Sequence, residues 1–471
     1  MPSVLSAIMF SPRGGSAAAA RALARELPRL GWDLRLLSGS RPDLGPEGDA
    51  RRYYRDVPLD VVEFELPWAS ADGADPLKAH RAPLHPSYED RPGAPDRVFA
   101  SLDDLELEHH VRAWGAALHS AGARRAGVLH LHHLTPIHEA ALRLAPEVPI
   151  VAQLHGTELL MLERIREGAP PGWRFAGRWA QRLRAWAERS FALIVAPGAV
   201  ERAAALLGLP RARFAPIANG IDVERFHEVT ISRFEHWRHH LVEEPRGWRP
   251  GEGTGSVRYT EAEIEPLRRA TVLVYVGRFT EVKRLGLLIR AFADAQARAR
   301  REAALVLVGG HPGEWEGEHP LDAVRATGAR NVYLAGWQPQ ERLPAFLSAS
   351  DVIVLPSARE QFGQALVEGM ACGLAPIAAA SFGASHILED GQTGWLVPPD
   401  DRAALSAAIV EAVDDPAERR RRSDAARRAA RERFSSRRMA AEVAAVLEAA
   451  SAERRWVPSP ALARARARRG K

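Results

Sequence analysis

DVIVLPSAREQFGQALVEGMACG, residues 351–373, reads as a strand, a loop and a helix in succession. The apolar run ends at Leu355 and a helix begins near Gly363. Glu360 lies on the loop and Glu368 one to two turns inside the helix, eight residues further on. A helix N-terminus presents unpaired N–H groups and a partial positive charge, which suit phosphate and sugar hydroxyls. On that reading one carboxylate accepts hydrogen bonds from a transferred sugar and the other from a ribose diol. On the plainer reading they are an acidic loop residue and a helix-surface glutamate, and spacing alone leaves both open.

Outward from this stretch the same unit recurs. Strands are expected at 4–10, 33–38, 60–65, 127–131, 149–154 and 192–196, then at 271–276, 304–308, 331–334, 351–355, 375–379 and 394–397. Between the first two, Ala19, Ala20, Leu23, Leu27 and Leu30 recur at three- and four-residue steps, the pattern of an amphipathic helix. Such alternation predicts parallel α/β layers, here two doubly wound domains facing one another with ligands at the carboxyl ends of the strands. Three segments break the rhythm: the Pro-rich stretch 67–97, the polar Gly-, Pro- and Trp-rich stretch 227–268, and the Arg-rich tail 453–471, expected to be disordered.

With 471 residues the chain is long enough for two domains, and 46% hydrophobic with 26% charged residues is an ordinary globular composition. The net charge of +5 comes largely from Arg clusters at 419–433 and in the tail, so it does not point to nucleic acid; weak attraction of the tail to an anionic membrane surface stays open. A lone cysteine, Cys372, excludes an intramolecular disulfide and fits a reducing compartment. No apolar run approaches the roughly 20 residues of a spanning helix. The start, MPSVLSAIMF, reads as a core strand rather than a signal peptide, so a cytoplasmic location is expected.

Other chemistry-bearing residues sit at strand ends. YVGRFTEVKR (275–284) carries Arg278 and Lys283, cations able to neutralise a diphosphate leaving group or simply solvated at a helix start. SPRGGS (11–16) places Gly14 and Gly15 in the first strand-to-helix turn, either a tight connection or a close approach to a ligand. In AQLHGTELL (152–160), His155 ends a strand and Thr157 is positioned to cap a helix with Glu158 behind it. His130, His132 and His133 suggest a metal at first sight. Alternation, however, sends His133 to the face opposite the other two, and no acidic partner has ligand spacing. No metal ligand set is assigned.

Together these motifs resemble glycosyltransferase family 4. Glu360 and Glu368 match that family's acidic pair, flanked as in the family by DVIVLPS, by Ala371-Cys372-Gly373 and by EDGQTGWLVPPDD at 389–401; IANGIDVERF (217–226) is similar to its interdomain linker. The resemblance implies a GT-B fold: a Rossmann-like acceptor domain over 1–217, a linker with a polar insertion over 218–268 and a nucleotide-sugar donor domain over 269–435. A C-terminal helix over 436–452 would return to the first domain, with the basic tail 453–471 beyond it. It implies retaining transfer of a sugar from a nucleotide diphosphate, UDP ahead of GDP, to a small-molecule or glycan acceptor, with no cofactor and no required metal. Front-face substitution is expected, the leaving phosphate taking the acceptor's proton. Arg278 and Lys283 would hold the diphosphate, Glu360 and His155 orient the sugar, and Glu368 fix the ribose. Gly14, Gly15, Gln361, Phe362, Gly363 and Gln364 would line the donor, and the Gly336–Trp337 loop the base. The sequence departs from the family at Gln361, Gln364, Ala375 and 382–386, all around the donor sugar. Two other functions keep the same residues: a sugar-nucleotide-binding protein without transfer, and a sugar-nucleotide epimerase.

Overall fold

The computed structural model describes residues 1–12, 14–44, 48–64, 82, 85–90, 96–313 and 315–452. The tail 453–471 and most of the Pro-rich segment 67–97 lie outside them. The chain forms two compact units: unit 1 is Met1–Gly220 together with the chain from Ser436, and unit 2 is Ile221–Ser435.

Unit 1 is built on β1 (Ser3–Ile8), β2 (Asp33–Ser40), β3 (Leu59–Glu63), β4 (Pro86–Ser87), β5 (Arg97–Val98), β6 (Val128–His132), β7 (Ile150–Gln153), β8 (Ala192–Val195) and β9 (Phe214–Pro216). Its main sheet is parallel in the order β3-β2-β1-β6-β7-β8-β9, with β4 and β5 forming a separate small pair. The order reverses between β1 and β6, where Ser6 lies opposite His130. The first helix, Gly14–Arg29, buries Ala19, Ala20, Leu23 and Leu27 as the spacing predicts; Leu30 falls past its end and is exposed. The helix Ser436–Ser451 belongs to this unit, burying Met439, Val443 and Leu447 in one core with Val4, Ile8 and Leu23.

Unit 2 holds β10 (Thr271–Val276), β11 (Ala303–Val308), β12 (Val332–Gly336), β13 (Val352–Leu355), β14 (Ala375–Ala379) and β15 (Trp395–Val397). They pair in parallel as β12-β11-β10-β13-β14-β15, reversing between β10 and β13. Strands covered on both faces must be apolar throughout, and β10 and β11 (TVLVYV, AALVLV) are buried along nearly their whole length. Among the described residues, no helix is long and apolar enough to cross a membrane.

One sequence expectation needs correction, and one strand was not foreseen. Residues 221–268 are not a free linker with a polar insertion but part of unit 2. Trp237, Trp248, Ile264 and Leu267 are almost wholly buried there, and Arg233 grips Asp351 through both guanidinium NH2 groups at 3.0 and 2.8 Å. The segment looks polar in sequence because its few apolar side chains are large and carry no helical period. The strand β9 was not expected: it is three residues long and ends in Pro216.

Candidate functional site

In unit 2, three loops converge beyond the carboxyl ends of β10, β13 and β14, beside the point where strand order reverses, the usual place for a ligand in an open α/β sheet. Backbone bonds set their spacing: Ala358 donates to Val282 O at 3.1 Å and Gly383 donates to Glu360 O at 2.7 Å. Position 383 admits no side chain, because a Cβ there would stand 2.6 Å from the Phe362 backbone. Lys283, on a 3-10 turn after β10, reaches across 77 residues of sequence to Glu360, with Nζ 2.5 Å from Oε2. Both side chains are partly exposed, at 19% and 17%. Arg278 is exposed; its carbonyl accepts the Tyr275 hydroxyl at 2.7 Å. Burial, with the nearby Glu360 charge adding to it, pushes the Tyr275 hydroxyl far above its ordinary range and keeps it a donor.

The helix Gln364–Ala371 starts after Gly363, whose φ is +91°. Glu368 on this helix is 5% exposed. Burial lifts its carboxyl to about 8, against the opposing pull of Gln340, Arg225 and Gln364. Gln340 Nε2 donates to it at 3.4 Å. Phe362, expected at the donor, instead turns its ring edge-on toward Phe434 at 5.8 Å and is buried; only its backbone is left to line a ligand. Gly336 ends β12 at φ +67°, where a Cβ would come within 2.0 Å of Arg246 O, and the adjacent Trp337 stacks on His311 at 5.2 Å. The loop expected to meet a base is therefore backed by the 221–268 segment. Gln361 is partly buried on the Glu360 loop.

Unit 1 has its own cluster at its strand reversal. His130 and His132 lie on one face, as alternation predicts, sharing Ser6 Oγ at 3.4 and 3.3 Å. His132 Nδ1 is 2.9 Å from His155 Nε2. Burial and neighbouring imidazoles hold His132 and His155 well below the ordinary histidine range, and burial takes His130 to about 4, so these rings are neutral at pH 7. His133 follows β6 at φ +60° and pairs with the fully buried Glu158 at 3.2 Å. Burial alone would raise the Glu158 carboxyl, but His133 and the surrounding donors hold it below its usual value. Here the sequence reading missed two things. Glu158 rather than Thr157 serves the helix start, accepting the His155 N–H at 3.0 Å. His133 has an acidic partner, 25 residues away rather than at ligand spacing. Gly14 and Gly15 are exposed at the start of the first helix. Among the described residues no set of three histidine, cysteine or acidic side chains is placed to hold a metal ion.

Comparison with known proteins agrees with this architecture. The profile described as Glycosyltransferase Family 4 matches residues 13–225 and that described as Glycosyl transferases group 1 matches residues 260–429. D-inositol 3-phosphate glycosyltransferase 2 of Catenulispora acidiphila is 36% identical over 138 residues, 28% of this chain and 32% of that protein. A lipopolysaccharide 1,2-N-acetylglucosaminetransferase of Salmonella typhimurium is 34% identical over 133 residues, 27% of this chain and 34% of that protein. The matches thus span about a third of each relative. Sucrose-phosphate synthase from Thermosynechococcus elongatus superposes with a TM-score of 0.63 at 18% identity, covering 96% of this chain and all of that one. Anabaena HepE in complex with UDP-glucose gives 0.63 at 16%, covering 95% and 99%. At these identities the likeness is one of fold. With two parallel Rossmann-like units of the GT-B kind, the acidic pair after β13 and profile matches across both units, the chain belongs to glycosyltransferase family 4.

Proposed function

We propose that this protein transfers a sugar from a nucleoside diphosphate, UDP ahead of GDP, to a small-molecule or glycan acceptor, with retained configuration and without a required metal. The observation that carries the reading is the Lys283–Glu360 pair beside the buried Glu368 at the strand reversal of unit 2. Without ligand, Glu360 neutralises Lys283. A diphosphate offers Lys283 a stronger anion, and the exchange frees the Glu360 carboxylate to accept hydroxyls of the donor sugar. Arg278, exposed after β10 on the same connection as Lys283, supplies the second cation; charge developing on the leaving diphosphate meets fixed positive charge. Glu368 accepts the ribose diol, and the Gly336–Trp337 backbone meets the base. In unit 1, His155 acts as a neutral hydrogen-bonding group whose proton position is set by His132; Gly14 and Gly15 leave the loop backbone open to a polar ligand. The leaving phosphate takes the acceptor's proton, so no side chain need act as general base. Anabaena HepE, a structural neighbour solved with UDP-glucose, supports the choice of base.

Thermal unfolding with UDP, GDP, ADP and dTDP, without metal, tests the donor assignment. At 100 times its dissociation constant a ligand stabilises by about 2.7 kcal/mol. A shift with UDP that Arg278→Ala and Lys283→Ala remove is the expected result, followed by product analysis with UDP-sugars. No shift with any nucleotide ends the proposal; binding without transfer leaves a sugar-nucleotide-binding protein.

A further inference from the structure

Ser11, His85 and Asp96 line up in unit 1 as hydroxyl, imidazole and carboxylate. Ser11 Oγ is 3.4 Å from His85 Nε2, and His85 Nδ1 is 3.2 Å from Asp96 Oδ1. These are the side chains of an acylating hydrolase, but two observations argue against a nucleophile. The Ser11 backbone N–H donates to the same Nε2 at 3.1 Å, so the lone pair a general base would use is engaged at shorter range than the hydroxyl. Ser11 is also 3% exposed, which leaves a substrate carbonyl no approach.

The geometry serves the backbone instead. Asp96 accepts the Nδ1 proton, which leaves Nε2 as an acceptor, and only that tautomer of the neutral ring can receive the Ser11 amide. Asp96 is in turn held by Arg41 at 3.5 Å, itself locked to Asp43 by two hydrogen bonds of 2.8 and 2.7 Å. Phe64 stands edge-on to the imidazole at 4.9 Å, fixing its plane. Ser11 opens the glycine loop, three residues before the first helix begins at Gly14. His85 and Asp96, from a stretch with no role assigned in the sequence reading, thus reach the loop at Ser11.

We propose that His85 is a positioning residue: the Arg41–Asp96–His85 chain clamps the Ser11 amide and sets the path of the glycine loop into the first helix. Its effect on transfer rests on the proposed function; the clamp itself does not. The test is amide hydrogen exchange over residues 9–16 in the full chain, for wild type, His85→Phe and His85→Gln. Glutamine brings a carbonyl oxygen near the place of Nε2, whereas phenylalanine fills the space without accepting. Exchange is expected to be about fivefold faster or more in His85→Phe, as loss of one ordinary hydrogen bond implies, and near wild type in His85→Gln. Turnover of a UDP-sugar should fall in the first variant and recover in the second, while the UDP-induced thermal shift stays as in wild type. Exchange in His85→Phe equal to wild type, or no recovery with Gln, overturns the clamp. If His85→Phe does not fold, Asp96→Asn decides, since it keeps the ring and releases its tautomer: faster exchange supports the clamp, unchanged exchange sinks it. If UDP fails to shift the wild type, the donor reading falls and the exchange result alone judges the clamp.

Discussion

Folding raises the pH at which the Glu368 carboxyl ionises. Its unfolded counterpart titrates near 4.5, and in the fold burial carries it to about 8. Between those values the unfolded chain binds fewer protons than the folded one, so the contribution of this group to stability falls as pH rises from about 4.5 to 8. Glu368→Gln should remove that slope, so urea unfolding should find the variant gaining on wild type by about 2–4 kcal/mol between pH 5 and 8. Equal slopes in both proteins would refute the assignment. A ribose diol donates to the ionised carboxylate, so UDP should bind wild type more tightly at pH 8 than at pH 6, and Glu368→Gln should flatten the dependence. The Lys283–Glu360 pair gives a separate expectation. Being partly exposed, it is worth about 1 kcal/mol or less to the fold. Glu360→Gln should therefore leave the melting temperature within a few degrees while lowering kcat about 10²–10³-fold, the usual effect of losing one preorganised polar contact. An inactive variant that also fails to fold would assign Glu360 to structure instead. The acidic pair was legible from local pattern and resemblance. Its pairing with Lys283, and that of His133 with Glu158, were not, because 77 and 25 residues of chain separate partners that only the folded sheet brings together.

At the level of elements, parallel strands announce themselves as short apolar runs, and every strand read from the sequence is present, within a residue or two at most ends. What failed was the reading of 221–268, where polar composition concealed anchors. Trp248 is 1% exposed, packs with Phe279, Trp315 and His319, and donates to Gly310 O at 3.3 Å. Trp248→Ala should destabilise unit 2 by about 3–5 kcal/mol; a loss under 1 kcal/mol in chemical denaturation would restore the view of a loose insertion. Gly336 belongs to the same seam. A Cβ there would meet both a left-handed backbone and the Arg246 carbonyl at 2.0 Å, so Gly336→Ala should displace the 246–248 stretch, weakening UDP binding before it unfolds the unit.

At the scale of the whole molecule, the two-domain architecture follows from length and from strand–helix alternation, but the ownership of the final helix depends on tertiary packing. Met439, Val443 and Leu447 share one core with β1 and the first helix. A chain stopped after Ser435 should leave those apolar faces bare, and unit 1 should then lose its cooperative unfolding transition while unit 2 keeps a UDP-responsive one. Retention of both transitions would show that the helix is an accessory.

That placement also dictates an order of events during synthesis. Residues 1–220 leave the ribosome before the helix that completes their core has been made, and all of Ile221–Ser435 comes in between. At ordinary elongation rates this leaves unit 1 unfinished for about 10–40 s, with apolar surface of its β1 side uncovered. Unit 2, contiguous in sequence, is free to fold first, so unit 1, made before it, is the last to become native, and chaperones have their longest opportunity to engage residues 1–220.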